Sequence, residues 1–299
     1  MILHGSNYLN MNKNKIYPTY FALGAVILYG VLFVLPGLLG IGYSFTDWSA
    51  FSDKLHFVGL DNFKLIFSAQ ENYIKYLGNT ILFTFFTTIA KNVIGLAMAL
   101  LLTRKILMLN LHRAIMYIPA VLSAIVVGMT FKSILNPEVG LLNSFLRLLN
   151  ITGPRWLSDP KIAFWSVMGV DIWKGMGYIM TIFIAGIMSI SPTYYEVATV
   201  DGANSWQRFI SITLPLLMPT IAVTTVLNVI YGLKVFDMVY VLTSGGPGYA
   251  TEVLYTSIFK EFGYGRYAIG TALSFIMFIF MVIIGYFLIR SMTKDEVME

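Results

Sequence analysis

Three features of this chain predict an all-α integral membrane protein with six transmembrane helices. The 299 residues are 57% hydrophobic and only 12% charged, with a mean hydropathy of +0.74. Soluble domains carry roughly 45–50% apolar and about 25% charged residues. Six separate segments stay apolar for the ~20 residues that a bilayer crossing requires. Between the fourth and fifth lies a short polar stretch rich in helix-starting and helix-ending residues. Aromatic residues make up 15% of the chain, which suits a protein that lines two membrane–water interfaces.

In order, the predicted spans are Tyr20–Phe45, Leu77–Thr103, Ala114–Leu135, Ile162–Ile190, Leu216–Leu242 and Ala268–Ile289. The first is too long for a signal-peptide core and lacks a small-x-small cleavage site, so it is expected to remain as an anchor. One membrane domain then covers 20–290, between an N-terminal tail of 1–19 and a C-terminal tail of 291–299. The net charge of +5 is spread along the chain with no dense basic stripe, which argues against nucleic acid. There are no cysteines, so disulfides, zinc–thiolate sites and thiol nucleophiles are excluded. His4, His56 and His112 all lie outside the spans and far apart, so a shared metal site is not expected.

The polar stretch has its own local logic. Ser191 and Pro192 suit the N-cap and first position of a helix. Gly202, after Asp201, offers the left-handed conformation that ends it. Ser205 suits the cap of a second short helix through Phe209, and Pro215 the opening of the next span. Helix, tight turn, helix is the expected shape, a knob at the membrane surface. Ala198 and Ala203 leave room for a partner's close approach, Trp206 and Phe209 offer apolar grip, and Glu196, Asp201 and Arg208 offer polar fixing points.

Glu196-Val197-Ala198, then Asp201-Gly202-Ala203, then Ile212-Thr213-Leu214-Pro215 resembles the cytoplasmic "EAA" loop of permease subunits of binding-protein-dependent ABC importers. Only Val197 departs, where the family usually has Ala. Further likeness comes from Phe57-Val58-Gly59-Leu60-Asp61-Asn62-Phe63, Asn79-Thr80, Arg113 with Pro119, Pro137 with Gly140 and Asn143, and Trp173. Thr243-Ser244-Gly245-Gly246-Pro247 completes it. Nearly the whole chain, from about Tyr20 to Ile289, is covered, and the pattern is similar to the sugar and glycerol-phosphate branch. The resemblance implies a cytoplasmic helix-turn-helix coupling loop gripped by an ATPase, through Glu196, Ala198, Asp201, Gly202, Ala203, Leu214 and Pro215. It implies a second, related permease chain forming a heterodimer, two cytoplasmic ATP-binding subunits and an extracellular solute-binding protein. ATP and Mg would then sit on the partners; this chain has no Walker-type phosphate loop and is expected to bind no cofactor and to be no enzyme. The expected location is a bacterial-type inner membrane, multi-pass, with both termini cytoplasmic. Basic residues divide eight to each side on that topology, so the loop and not the positive-inside rule sets the orientation.

Charged residues inside a span are costly in lipid and usually face a bundle interior or an aqueous cavity. Here they are Lys91, Lys132, Asp171, Lys174, Lys234 and Asp237. Lys132 lies near a span end, where snorkelling accounts for it. Asp171 with Lys174, and Lys234 with Asp237, are each three apart, so each pair is expected on one helix face. Counting rise along the helix puts Asp171 roughly 14 Å and Lys234 roughly 12 Å in from the outer surface. Trp173, Gly177 and Tyr178 lie beside the first pair, and Asn228, Tyr231 and Gly232 beside the second, with Val235 joining them only as the resemblance implies. Aromatic faces with hydrogen-bonding groups suit a sugar, and glycines would let backbone approach it. The resemblance likewise implies that substrate contacts come from these two spans. Mutual neutralisation of the two pairs between their helices is the alternative reading of the charges.

Two other classes stand against the importer reading. An ion-gradient-driven secondary transporter would show inverted repeats and unpaired midplane acids; no repeat is visible, and each acid has a lysine three residues away. An intramembrane enzyme would have only Asp171 and Asp237 to work with.

Overall fold

No water is available in a hydrocarbon core, so a chain crossing it must satisfy its backbone internally, and this one does so with helices. The computed structural model describes residues 20–68, 71–104 and 106–293. The expected tail 1–19 and the last residues of the C-terminal tail lie outside them. Among the described residues there is no strand, only an isolated bridge between Thr46 and Phe57.

Helix α1 comprises Tyr20–Tyr29, a π-helical turn Gly30–Val34 and Leu35–Tyr43. After α2 (Asp61–Ile66), α3 (Tyr73–Leu102) is the longest element. Next come α4 (Leu109–Val121), α5 (Ala124–Ile134), α6 (Leu141–Leu148) and α7 (Ala163–Ser189). The polar stretch forms α8 (Pro192–Val200) and α9 (Ser205–Arg208), and α9 runs on through a π turn, Phe209–Thr213, to Leu214–Leu216. Then follow α10 (Met218–Leu233), α11 (Asp237–Thr243), α12 (Leu254–Gly263) and α13 (Tyr267–Thr293).

Among the described residues, four helical stretches are long and apolar enough to cross a bilayer: Ala22–Tyr43, Tyr73–Leu102, Ala163–Ser189 and Tyr267–Leu288. The third and fifth predicted spans are not single helices. Leu109–Val121 and Ala124–Ile134 meet at 96°, and Ser205–Leu216 and Met218–Leu233 at 64°. Counting each bent pair as one span restores six. Both breaks have local causes. Leu122 is extended, and Ser123 restarts the chain by accepting a hydrogen bond from the Ile125 amide at 3.3 Å. Pro219 lacks the N–H that would reach back to the Pro215 carbonyl, and its ring would strike that oxygen. Pro215 therefore does not open the next helix, as expected from sequence; it lies within Leu214–Leu216, and Pro219 stands in the first turn of α10.

The bundle is built on α3 and α7, which pack along each other, with α10 against α3 and touching α7, and α4 against α7. Phe83, Val167, Met168, Val235 and Met238 form one apolar cluster; Tyr73, Leu233, Leu254 and Leu273 anchor a second; Ala99, Met180 and Phe183 lie in a third. Helix α1 stands apart, touching α13 through Leu35–Tyr43, with none of its span buried.

Many family-like residues prove to be tie-points of this scaffold. Asn62 donates from Nδ2 to the carbonyls of Ser44 and Thr46, both at 2.8 Å, closing the end of α1. Asn79 donates to the Glu252 carbonyl at 2.8 Å, and Thr80 accepts from the Leu254 amide at 2.9 Å, so α3 holds the start of α12. Arg113 donates through Nε and Nη2 to the Leu102 carbonyl, at 3.1 and 2.7 Å, and caps α3. Asn143 donates to the carbonyls of Pro137 and Pro154 and accepts from the Trp156 indole.

Gly177 is another such point. A Cβ there would lie 2.0 Å from the Met116 carbonyl oxygen, so α4 crosses α7 on the bare backbone. At Gly169 of the same helix nothing lies within 4 Å. Gly177→Ala should lower the unfolding free energy by about 1–3 kcal/mol through overpacking, read as a depressed Tm of the purified protein. Gly169→Ala should leave it equal or slightly higher; equal Tm for both variants would refute the close crossing.

Candidate functional site

Lys91 on α3, Asp171 on α7 and Tyr231 on α10 meet inside the bundle. Lys91 Nζ stands 2.6 Å from Asp171 Oδ2, with the side chains 3% and 1% exposed. Tyr231 donates its hydroxyl to Asp171 Oδ1 at 2.8 Å, and Lys91 Nζ lies 4.4 Å from the Tyr231 ring centroid. A buried charge is tolerated only when paired and hydrogen-bonded, and each member here supplies part of what the others need. The chain of polar contacts continues through Asn92, whose Nδ2 donates to Thr225 Oγ1 at 3.0 Å and whose Oδ1 accepts from Asn228 at 3.3 Å.

This pairing corrects the sequence expectation. Asp171 pairs neither with Lys234 of the fifth span nor with Lys174, three residues on, but with Lys91 of α3. Gly175 decides the matter: a Cβ there would fall 2.7 Å from Lys91 Cε and 3.0 Å from Nζ, so the missing side chain is what lets Lys91 lie across α7. Lys234 and Asp237 do not share a helix face. Lys234 ends α10, Asp237 begins α11, both are exposed, and they form no ion pair with each other. The depth counted along an unbroken fifth span fails for the same reason.

A cavity of about 200 Å³ opens beside the triad. Of the sequence-predicted residues, Asp171, Lys174, Tyr178, Asn228 and Tyr231 line it. Trp173 instead packs on Phe131, with ring centroids 5.0 Å apart. Gly177 and Gly232 are buried at helix crossings, where a Cβ on Gly232 would fall 2.9 Å from Thr84 Cα, and Val235 sits in the apolar core. These glycines serve helix contact, not access of a ligand to backbone. Sequence reasoning left Lys91, Ala120, Ile179 and Leu227 out of the candidate site, though they line the cavity. A mid-span lysine with no acid three or four residues away on its own helix was the available signal for Lys91.

The surface knob has the predicted shape. Ser191 is extended and precedes Pro192 at the start of α8. At its end Gly202 takes φ +77; its amide donates to the Thr199 carbonyl at 3.1 Å and that of Ala203 to the Ala198 carbonyl at 2.9 Å. Those two bonds make a Schellman motif. Asn204, not Ser205, caps α9: its side chain accepts from the amides of Trp206 and Gln207, while Gln207 returns a bond to the Asn204 amide. Arg208 reaches across the turn to Thr199 Oγ1 at 3.1 Å, clamping one helix to the other. Val200 is 88% and Trp206 67% exposed, and Glu196 is exposed without an ion pair or hydrogen bond among the described residues.

The family described as the inner membrane component of binding-protein-dependent transport systems matches residues 91–294. The trehalose/maltose transport system permease of Thermococcus litoralis is 34% identical over 252 residues, spanning 84% of this chain and 85% of its own. A probable permease for starch degradation products from Thermoanaerobacterium thermosulfurigenes is 31% identical over 290 residues, at 95% and 97%. Among solved structures, a chain of a bacterial alginate ABC transporter, bound to its periplasmic protein and an alginate pentasaccharide, superposes with a TM-score of 0.83. That match covers 97% of both chains at 25% identity.

Removing one member of a buried pair strands the other charge at a cost of about 3–5 kcal/mol, whereas apolar replacement of both is often neutral. Lys91→Met and Asp171→Leu should therefore each lower the Tm of the purified protein strongly, and the double variant should recover much of the loss. Gly175→Val should mimic Lys91→Met by displacing the ammonium group. Additive losses in the double variant would exclude the ion pair.

Proposed function

The chain belongs to the family of inner membrane components of binding-protein-dependent transport systems and is a permease subunit of an ABC importer; we propose that its cargo is a sugar, an oligosaccharide or a related carbohydrate derivative. The observation that carries this is the cavity between α3, α7 and α10. Tyr178 and Tyr231 bring aromatic side chains to its lining, and Asn228 and the Lys91–Asp171 pair bring hydrogen-bonding groups. A sugar shows the complementary surface, apolar ring faces edged by hydroxyls. Relatives that carry trehalose/maltose and starch products support it.

An extracellular binding protein delivers the cargo, and the chain works beside a second, related permease in a heterodimer. The knob formed by α8 and α9 docks on one of two cytoplasmic ATP-binding subunits, which hold ATP and Mg and perform the hydrolysis. Glu196, Ala198, Asp201, Gly202, Ala203, Leu214 and Pro215 shape that contact, Val200 and Trp206 offer their exposed apolar surface to it, and both chain termini share its side of the membrane. Closure of the ATPases draws the two knobs together and rocks the bundle outward-open; hydrolysis resets it. The clamp from Arg208 to Thr199 makes the knob stiff enough to pass force to α7 and to the helix that ends at Leu216.

Gentle extraction of the tagged chain from its native membrane should recover a cytoplasmic ATPase, a second permease and a binding protein that retains a carbohydrate. Recovery of the chain alone, active in uptake without ATP, would overturn the reading. Trp206→Ala should cut ATPase recovery about tenfold or more, because exposed tryptophans are frequent interface anchors. The same change should leave the Tm of the chain within the small range of surface substitutions. Unchanged ATPase recovery would remove Trp206 from the docking surface.

A further inference from the structure

The membrane segments of this chain carry more positive than negative charge. Lys91, Lys132, Lys174 and Lys234 stand against Asp171 and Asp237. Only two of these charges cancel by contact among the described residues, in the Lys91–Asp171 pair. Lys132 and Lys234 are exposed and lie near the ends of their helices, where their stems reach outward. Lys174 differs. It is half-buried, mid-helix on α7, and lines the cavity, yet it makes no ion pair or hydrogen bond among the described residues.

An ammonium group in that position is expensive unless water or a counter-charge meets it. The cavity supplies no acid of its own, since Asp171, the sole carboxylate lining it, is held by Lys91 and Tyr231. The cavity therefore presents one uncompensated positive charge in low-dielectric surroundings, which favours an anion. Tyr178 stands one turn further along the same face of α7, and Asn228 stands opposite on α10, also lining the cavity. An acid group at Lys174 would bring its sugar ring against Tyr178 and its hydroxyls toward Asn228.

Building on the carbohydrate reading above, we propose that the cargo is an anionic carbohydrate, a sugar bearing a carboxylate or sulfonate, and that Lys174 receives its acid group. Lys91 is the wrong cation for this role, because its charge is spent on Asp171. Lys174 is a specificity-determining residue: it selects charge, while the tyrosines and Asn228 select a sugar of either kind.

Equilibrium binding of two probes to the assembled, purified importer tests this: maltotriose and its acidic counterpart trigalacturonate. The uronate should bind about tenfold or more tightly, the scale of one charge-assisted hydrogen bond, and the preference should shrink at high salt. In Lys174→Gln the ratio of the two affinities should fall by about tenfold, and in Lys174→Arg it should be retained, with the Tm of each importer checked for folding. Equal or tighter binding of maltotriose by the unaltered importer would overturn the acid preference and leave the carbohydrate reading standing. Failure of an ATPase-bound importer to bind either sugar would overturn both. A Lys174→Gln importer that keeps its preference would remove Lys174 from the role.

Discussion

The Lys91–Asp171 ion pair is the contact on which the interior of this bundle depends. It joins α3 to α7, and the Tyr231 hydroxyl brings in α10, so three helices are tied at one buried point. In lipid there is no hydrophobic drive holding helices together, and close packing and polar contacts must do it. The pair does both. Its formation needs Gly175 beneath the lysine stem, and the same close approach of α3 and α7 recurs at Gly95, where a Cβ would meet Ile179 at 2.9 Å. The cavity then follows from the pair. Two charges that neutralise each other leave a polar but uncharged wall, against which the free Lys174 supplies the local sign.

Bent spans set the shape of what surrounds that cavity. A straight fifth helix would carry Tyr231, Lys234 and Asp237 as one stripe. The stop at Leu233 instead leaves Val235 in the core beside Phe83 and puts Lys234 outside it. The 96° turn at Leu122 lays α4 across α7 at Gly177, while α5 packs on α11. Each break occurs where backbone hydrogen bonding is replaced by a side chain or cannot form at all, at Ser123 and at Pro219.

The surface knob is the opposite kind of structure, because it is determined locally. A Schellman turn at Gly202, a capping box at Asn204 and one arginine clamp specify it without help from the bundle.

Composition and hydropathy by themselves determined that this chain is a helical membrane protein, because burial in lipid demands long apolar helices whatever their arrangement. Short-range chemistry also sufficed for the turn of the knob, since Pro192 and Gly202 act on their own backbone; the cap of the second helix shifted by one residue, to Asn204, because Gln207 could answer it, and that helix ran on past Phe209 to Leu216. Tertiary structure alone decided the site. Whether Asp171 pairs with Lys174 or Lys91 is not a property of helix spacing. It depends on which foreign helix lies against a glycine. The glycines read as room for a ligand turned out to be room for other helices, since an absent side chain looks the same in sequence whatever fills its place. Span ends and bends were illegible for a related reason: hydropathy measures how apolar a segment is and carries no record of where its hydrogen-bond ladder stops.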